Sequence, residues 1–294
     1  MTRRRRLGDA AFNVFLHLSL ALVAAACLYP FVWVASASFS RPDEVIAGRV
    51  VLWPRGLTTI TYEYVLGYKQ LWVAYANTLF YVVVGTSLNV VLTLAMAYPL
   101  SRTWFRGRSA LNAFMVFTML FSGGMIPTFL VVRMLGLLNT RWAMILPTAV
   151  GVWEIIMTRA YLSSNIPDEL IEAGEIDGAN DLQIFLRVVL PLSGPVIAVI
   201  TLFYAVMHWN DFFSALIYLT DQTLYPLQVV LRQLVTAGTS TLSVAAGATV
   251  SERALLAYTI KYAAIMVGSV PIMLVYPFVQ RHFVRGALLG SLKG

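Results

Sequence analysis

Tyr204, His208 and Asp211 recur at i, i+4 and i+7, a spacing that places all three on one face of a helix. They sit in a strongly apolar run, as does Glu154 in another, and ionisable side chains in such runs are costly and default to functional roles. Trp153 and Trp209 set flat apolar rings beside these polar groups, which suits a sugar with its C–H face and hydroxyl rim. Trp153, Glu154, Tyr204, His208, Trp209, Asn210 and Asp211 are therefore candidates to line a solute path. The alternative is that these polar groups hydrogen-bond between helices. His208 with Asp211 comes nearest to a catalytic pair, but an enzyme needs a nucleophile with its base or a metal cluster, so no catalytic residue is expected. His17, His208 and His282 lack metal-ligand spacing, and the single Cys27 excludes an internal disulfide.

The elements that hold these groups must be membrane helices. The 294 residues are 59% hydrophobic and 12% charged, against roughly 45–50% and about 25% in soluble domains. Six stretches reach the length of about 20 apolar residues needed to cross hydrocarbon, at 14–37, 74–100, 110–132, 142–161, 196–219 and 255–279. The expected fold class is all-α, a polytopic membrane protein with a segment 1–13, one membrane domain 14–280 and a tail 281–294. Arg3 to Arg6, Arg102, Arg106, Arg108, Arg281, Arg285 and Lys293 fall on one side, which places both termini in the cytoplasm. The connections 38–73 and 220–254 are then external, and aromatic content predicts that the first is ordered. Because the arginines behind the net charge of +7 flank apolar runs, membrane orientation accounts for them and no nucleic acid is expected.

The segment 163–195 departs from this pattern: Asp168, Glu169, Glu172, Glu175, Asp177 and Asp181 supply six of the chain's 14 acids. Asn165 as a cap and Pro167 in the first turn predict a helix start, and Ile166, Leu170, Ala173 and Ile176 make an apolar stripe beside the acids. Asp177-Gly178 signals a bend, after which Asn180 or Asp181 caps a second helix running to Pro191. The alternative is a solvated amphipathic loop at the membrane surface, but a helix bound to anionic lipid would be basic. An acidic amphipathic helix on a bend is shaped for a groove on a protein partner.

Glu172-Ala173-Gly174, Asp177-Gly178-Ala179 and Val188-Val189-Leu190-Pro191 resemble the EAA motif of permeases of ATP-binding-cassette (ABC) importers, with Gly174 for the second Ala and Val188 for Ile. The wider chain is similar to binding-protein-dependent sugar permeases, the group of the smaller maltose permease subunit and of permeases for complex polysaccharides such as alginate. The similarity runs through Cys27-Leu28-Tyr29-Pro30, Tyr75-Ala76-Asn77-Thr78-Leu79, Phe121-Ser122-Gly123-Gly124-Met125-Ile126-Pro127, Tyr225-Pro226-Leu227-Gln228 and Gly290-Ser291-Leu292-Lys293-Gly294.

That resemblance implies the type I importer permease fold in a bacterial cytoplasmic (inner) membrane. It implies a second homologous permease subunit, two cytoplasmic ATPases that bind ATP and Mg, an external solute-binding protein and an oligosaccharide cargo moved by alternating access. No cofactor is expected in this chain. The coupling helix would carry Glu172, Ala173, Gly174, Asp177, Gly178, Ala179, Leu190 and Pro191, with Glu172 pairing a basic group of the ATPase and Gly178 permitting the bend. By the same resemblance Lys293 and Gly294 would reach the ATPase dimer, the alternative being a frayed tail, and the small-residue segment 237–251 would enter the binding protein, the alternative being a plain external loop. The chain is not expected to hydrolyse ATP, because a P-loop needs Gly-Lys-Ser/Thr and Lys69, Lys261 and Lys293 follow Tyr68, Ile260 and Leu292. The rival class is an ion-coupled secondary transporter with Glu154 and Asp211 as coupling acids, but it would show an internal repeat and broken helices at matching positions.

Overall fold

In the computed structural model, residues 2–236 and 256–274 are described, with side chains from residue 12. Lys293, Gly294 and the 237–251 segment lie outside them, as do residues 275–279 of the last predicted span. All regular structure among the described residues is helical. The chain divides into two compact units, one of residues 70–230 and the other of the chain up to Lys69 with residues 231–270.

The second of these units contains α1 (Thr2–Ser38) and most of α11 (Leu256–Leu274). From Phe12 to Val32, α1 turns its large apolar side chains outward, as a helix in a low-dielectric surround does. Its end binds the 38–73 connection, which is ordered as expected. Trp33 Nε1 donates to Val50 O (3.0 Å), Ser36 Oγ to Leu52 O (2.6 Å), and Ser38 and Tyr62 share a hydrogen bond between hydroxyls (2.8 Å). Ala37, Val45, Val50 and Tyr262 close a small core there.

The other unit is built around α2 (Lys69–Ser101), 33 residues long and interrupted by a π-helical turn at Tyr81–Gly85. Against it pack α3 (Arg108–Leu120), α5 (Val152–Asn165), α6 (Asp168–Ile176), α7 (Asp181–Leu192), α8 (Gly194–Asn210), α9 (Phe213–Tyr218) and the start of α10 (Leu227–Thr236), while α4 (Met125–Met134) packs on α9 through Phe129, Val132 and Tyr218. Among the described residues, three helices are individually long and apolar enough to cross a membrane, or up to six spans if each bent pair counts as one.

Those bends correct the picture of unbroken spans. The predicted span 110–132 is α3 and α4 meeting at 112°, because Gly124 stands at φ +85 and the Ser122 hydroxyl accepts from its amide (3.1 Å). The helix before Gly151 meets α5 at 49°, and α7 meets α8 at 81° around Ser193-Gly194-Pro195. The predicted 196–219 span also breaks, since α8 ends at Asn210 and Asp211 Oδ1 accepts from Ser214 N (3.1 Å) at the entry to α9.

Candidate functional site: the coupling segment and the polar interior

The helix–bend–helix expected at 163–195 is present, with one change at its start. Asn165 closes α5, its side-chain amide donating to Tyr161 O (3.0 Å), and the extended Pro167 begins α6. Asp168 and Glu169 occupy the first turn of α6, where carboxylates favour the positive end of the helix dipole. Gly178 ends the helix at φ +79, a left-handed conformation that costs an L-residue roughly 1–2 kcal/mol. Asn180 then starts α7 through a capping box: its Oδ1 accepts from Gln183 N and Gln183 Oε1 accepts from Asn180 N, both 2.9 Å.

The expected apolar stripe divides between two faces. Ile166, Ile171 and Ile184 are buried in a core with Ala97, Tyr98, Leu100, Leu162 and Val189. Leu170, Ala173 and Ile176 face outward beside Glu169 and Glu172, and Ile176 is 86% exposed. The helix therefore presents large aliphatic side chains within an acidic rim. Gly174 points back toward α7, where an added Cβ would lie 3.1 Å from Ile184 Cγ1, so the absence of a side chain serves packing within this chain. Ala179 and Leu190 are half-buried against the same interior, and Pro191 lies in the last turn of α7 before the 81° bend.

The candidate path residues fall into two groups. Tyr204 and His208 are buried on α8 and hold it to α2. The Tyr204 hydroxyl shares a hydrogen bond with Thr93 Oγ1 (2.8 Å), and His208 Nε2 lies 2.8 Å from Asn89 Oδ1. Since Oδ1 only accepts, His208 carries its proton on Nε2. Asn89 Nδ2 in turn donates to Thr148 O (2.6 Å). Gly85 makes this approach possible, because a Cβ there would collide with the imidazole. Gly151 plays the same part for Glu154 and Tyr204, since its Cβ would strike both the carboxylate and the phenol oxygen.

The remaining candidates, Trp209 apart, are more accessible. Trp153 is 57% exposed, Glu154 and Asp211 are half-buried, and the exposed Asn210 donates to Val206 O (2.9 Å). Trp209 is buried edge-on to Tyr75 (ring centroids 6.3 Å), which lies 5.9 Å from the exposed Trp72. Trp72 and Tyr75 were not among the candidates, although their i, i+3 spacing was visible. Nor were Asn77, Asn89 and Thr93, polar residues in an apolar run, which the cost of intramembrane polar groups could have flagged. Asn77 Nδ2 donates to Thr223 O (2.6 Å) and Tyr81 OH to Leu224 O (2.8 Å), so α2 carries a stripe of interhelical hydrogen bonds.

The chain is similar to known proteins in sequence and in overall fold. The sequence model of the family described as "Binding-protein-dependent transport system inner membrane component" matches residues 90–288. The polygalacturonan/rhamnogalacturonan transport system permease protein YtcP of Bacillus subtilis (strain 168) is 43% identical over 292 residues, covering 98% of this chain and 100% of that protein. Protein LplC of the same organism is 41% identical, covering 100% of this chain and 98% of its own length. A chain in the crystal structure of a bacterial ABC transporter involved in the import of the acidic polysaccharide alginate superposes with a TM-score of 0.83 at 35% identity, covering 94% of this chain and 98% of that one.

Proposed function

The chain belongs to the binding-protein-dependent transport inner-membrane components, the permeases of sugar and polysaccharide ABC importers, and on that premise we propose that its cargo is an acidic oligosaccharide. It is the permease component and not the ATPase. The acidic cargo rests on relatives: polygalacturonan and alginate are both polymers of uronic acids. The chain pairs with a second homologous permease to enclose the path, an external binding protein delivers the sugar, and two cytoplasmic ATPases bind ATP with Mg. Both termini lie in the cytoplasm, with 38–73 and 220–254 external. Lys293 and Gly294 reach the ATPases.

The observation that carries the coupling role is the outward face of α6, where Leu170 and Ile176 stand exposed between Glu169 and Glu172. An aliphatic face with an acidic rim fits a groove lined by basic residues on an ATPase. Gly178 and the Asn180 capping box fix the angle at which α6 leaves α7. Along the path, Trp153, Trp209, Glu154, Asn210 and Asp211 meet the sugar, while Tyr204 and His208 set the position of α8. Uptake of labelled oligogalacturonate, compared with a neutral oligosaccharide of equal length, tests the cargo. Preference for the charged sugar supports the reading, and exclusive uptake of the neutral one contradicts it.

A further inference from the structure

The last carbonyl groups of a helix have no donors within it. Where α2 and α5 end side by side, each supplies donors for the other. Arg159 Nε and Ser163 Oγ on α5 donate to Leu100 O and Ser101 O at the end of α2, both at 3.1 Å. Arg102, the residue following α2, donates in return from Nη1 to Ile166 O (3.0 Å) and reaches Leu162 O from Nη2 (3.5 Å). Nη1 also meets Asp168 Oδ1 at 3.0 Å, and Thr103 Oγ1 lies 3.4 Å from Asp168 Oδ2, at the first residue of α6. One guanidinium thus touches the end of α2, the end of α5 and the start of α6.

Arg102 is 1% exposed, and the Tyr98 ring lies 5.5 Å from its charge. Among the described residues, its pair with Asp168 is the one ion pair with a fully buried member. Burying a guanidinium has a desolvation penalty of several kcal/mol, so such pairs are poor explanations of stability and better explanations of a fixed register between elements. Residues 102–167 separate α2 from α6 along the chain. Any motion of α6 must therefore reach α2 through side chains, and Arg102 with the apolar contact of Tyr98 and Leu100 on Ile166 and Ile171 provides that tie.

We propose that Arg102 is a positioning residue that makes α2, α5 and α6 move as one body, so that displacement of α6 by the ATPases is delivered to α2. This rests on the reading of α6 as the ATPase contact. The experiment uses the assembled transporter with Cys27→Ser and spin labels on cysteines at Glu175 of α6 and Val91 of α2, both exposed positions. With the native Arg102, the interlabel distance keeps one narrow distribution in nucleotide-free and vanadate-trapped states. Arg102→Ala broadens it on trapping, sugar uptake per ATP falls about tenfold, and Arg102→Lys restores part of both by re-forming the pair with Asp168. If Arg102→Ala does not assemble, Asp168→Asn decides, since that side chain is 49% exposed and its amide oxygen still accepts from the guanidinium while the ion pair is lost; it should broaden the distribution likewise. Native distributions in both variants, or a distance that shifts on trapping in the native protein, overturn the proposal. If no ATPase assembles with the native chain, the coupling reading fails by itself, and the nucleotide-free width in Asp168→Asn still tests the tie.

Discussion

His208 on α8 donates through Nε2 to Asn89 Oδ1 on α2 at 2.8 Å, with its ring directly over Gly85. The contact spans helices 119 residues apart in sequence and occurs where α2 leaves its π-helical turn. A Gly85→Ala side chain has no room, and overpacking of this kind costs about 1–3 kcal/mol. Gly85→Ala should lower the melting temperature of the detergent-solubilised complex. Removing the ring with His208→Ala frees the space but leaves Asn89 Oδ1 without its donor, at about 1–3 kcal/mol. The two changes should therefore be strongly non-additive, the double variant melting above their sum. Additive effects would contradict the packing described.

At the bend, Gly178→Val forces a β-branched residue into φ +79 and should tilt α6 away from its docking angle. Glu172→Lys reverses the charge of the exposed rim without touching the core. Both variants should insert at native levels, as judged by membrane fractionation, yet recover several-fold less ATPase on copurification. Native recovery with Glu172→Lys removes that residue from the contact.

For the path, stacking of a sugar on aromatic rings predicts that Trp209→Ala and Trp72→Ala slow uptake, with Trp209→Phe milder than Trp209→Ala. Trp209 also packs on Tyr75, so expression and melting must be measured with uptake. Unchanged uptake in both alanine variants excludes the cluster from the path.

The 38–73 connection carries a pH prediction. The hydrogen bond from Arg41 holds the Asp43 carboxyl down at about 2, below its ordinary 3.8. A depressed folded value means that the contribution is complete above the ordinary value and is lost as pH falls through about 2. The 42–46 turn should therefore be indifferent to pH across about 5 to 8. A carboxyl titration followed by NMR should show the Asp43 midpoint rising toward the ordinary value in Arg41→Gln, and an unmoved midpoint contradicts the pairing.

Periodicity and composition made the apolar runs legible, and the acids with Asp177-Gly178 marked the helix–bend–helix at 163–195. The breaks were less legible, although Ser122-Gly123-Gly124 and Ser193-Gly194-Pro195 are strong breakers, because a 20-residue hydropathy window averages over them. Which way α6 faces was hidden as well. Leu170 and Ile171 are adjacent and similar, and only the position of Ile184 and Val189 across the bend decides that Ile171 is buried and Leu170 exposed. Arg102 read as a charge marking membrane orientation, because a sequence does not show that the carbonyls of Leu162 and Ile166 end beside it. Tyr204 and His208 shared a face as expected, but their partners Thr93 and Asn89 lie on a helix more than 100 residues away.

The central claim is that this chain is a permease driven by partner ATPases through α6. Its most direct test is affinity purification from the native membrane, identification of what copurifies, and an ATPase assay with and without the binding protein. The account predicts recovery of an ATPase and a second permease, with hydrolysis stimulated by the loaded binding protein and lost on Gly178→Val. A chain recovered alone, indifferent to ATP and moving solute on an ion gradient, would contradict it.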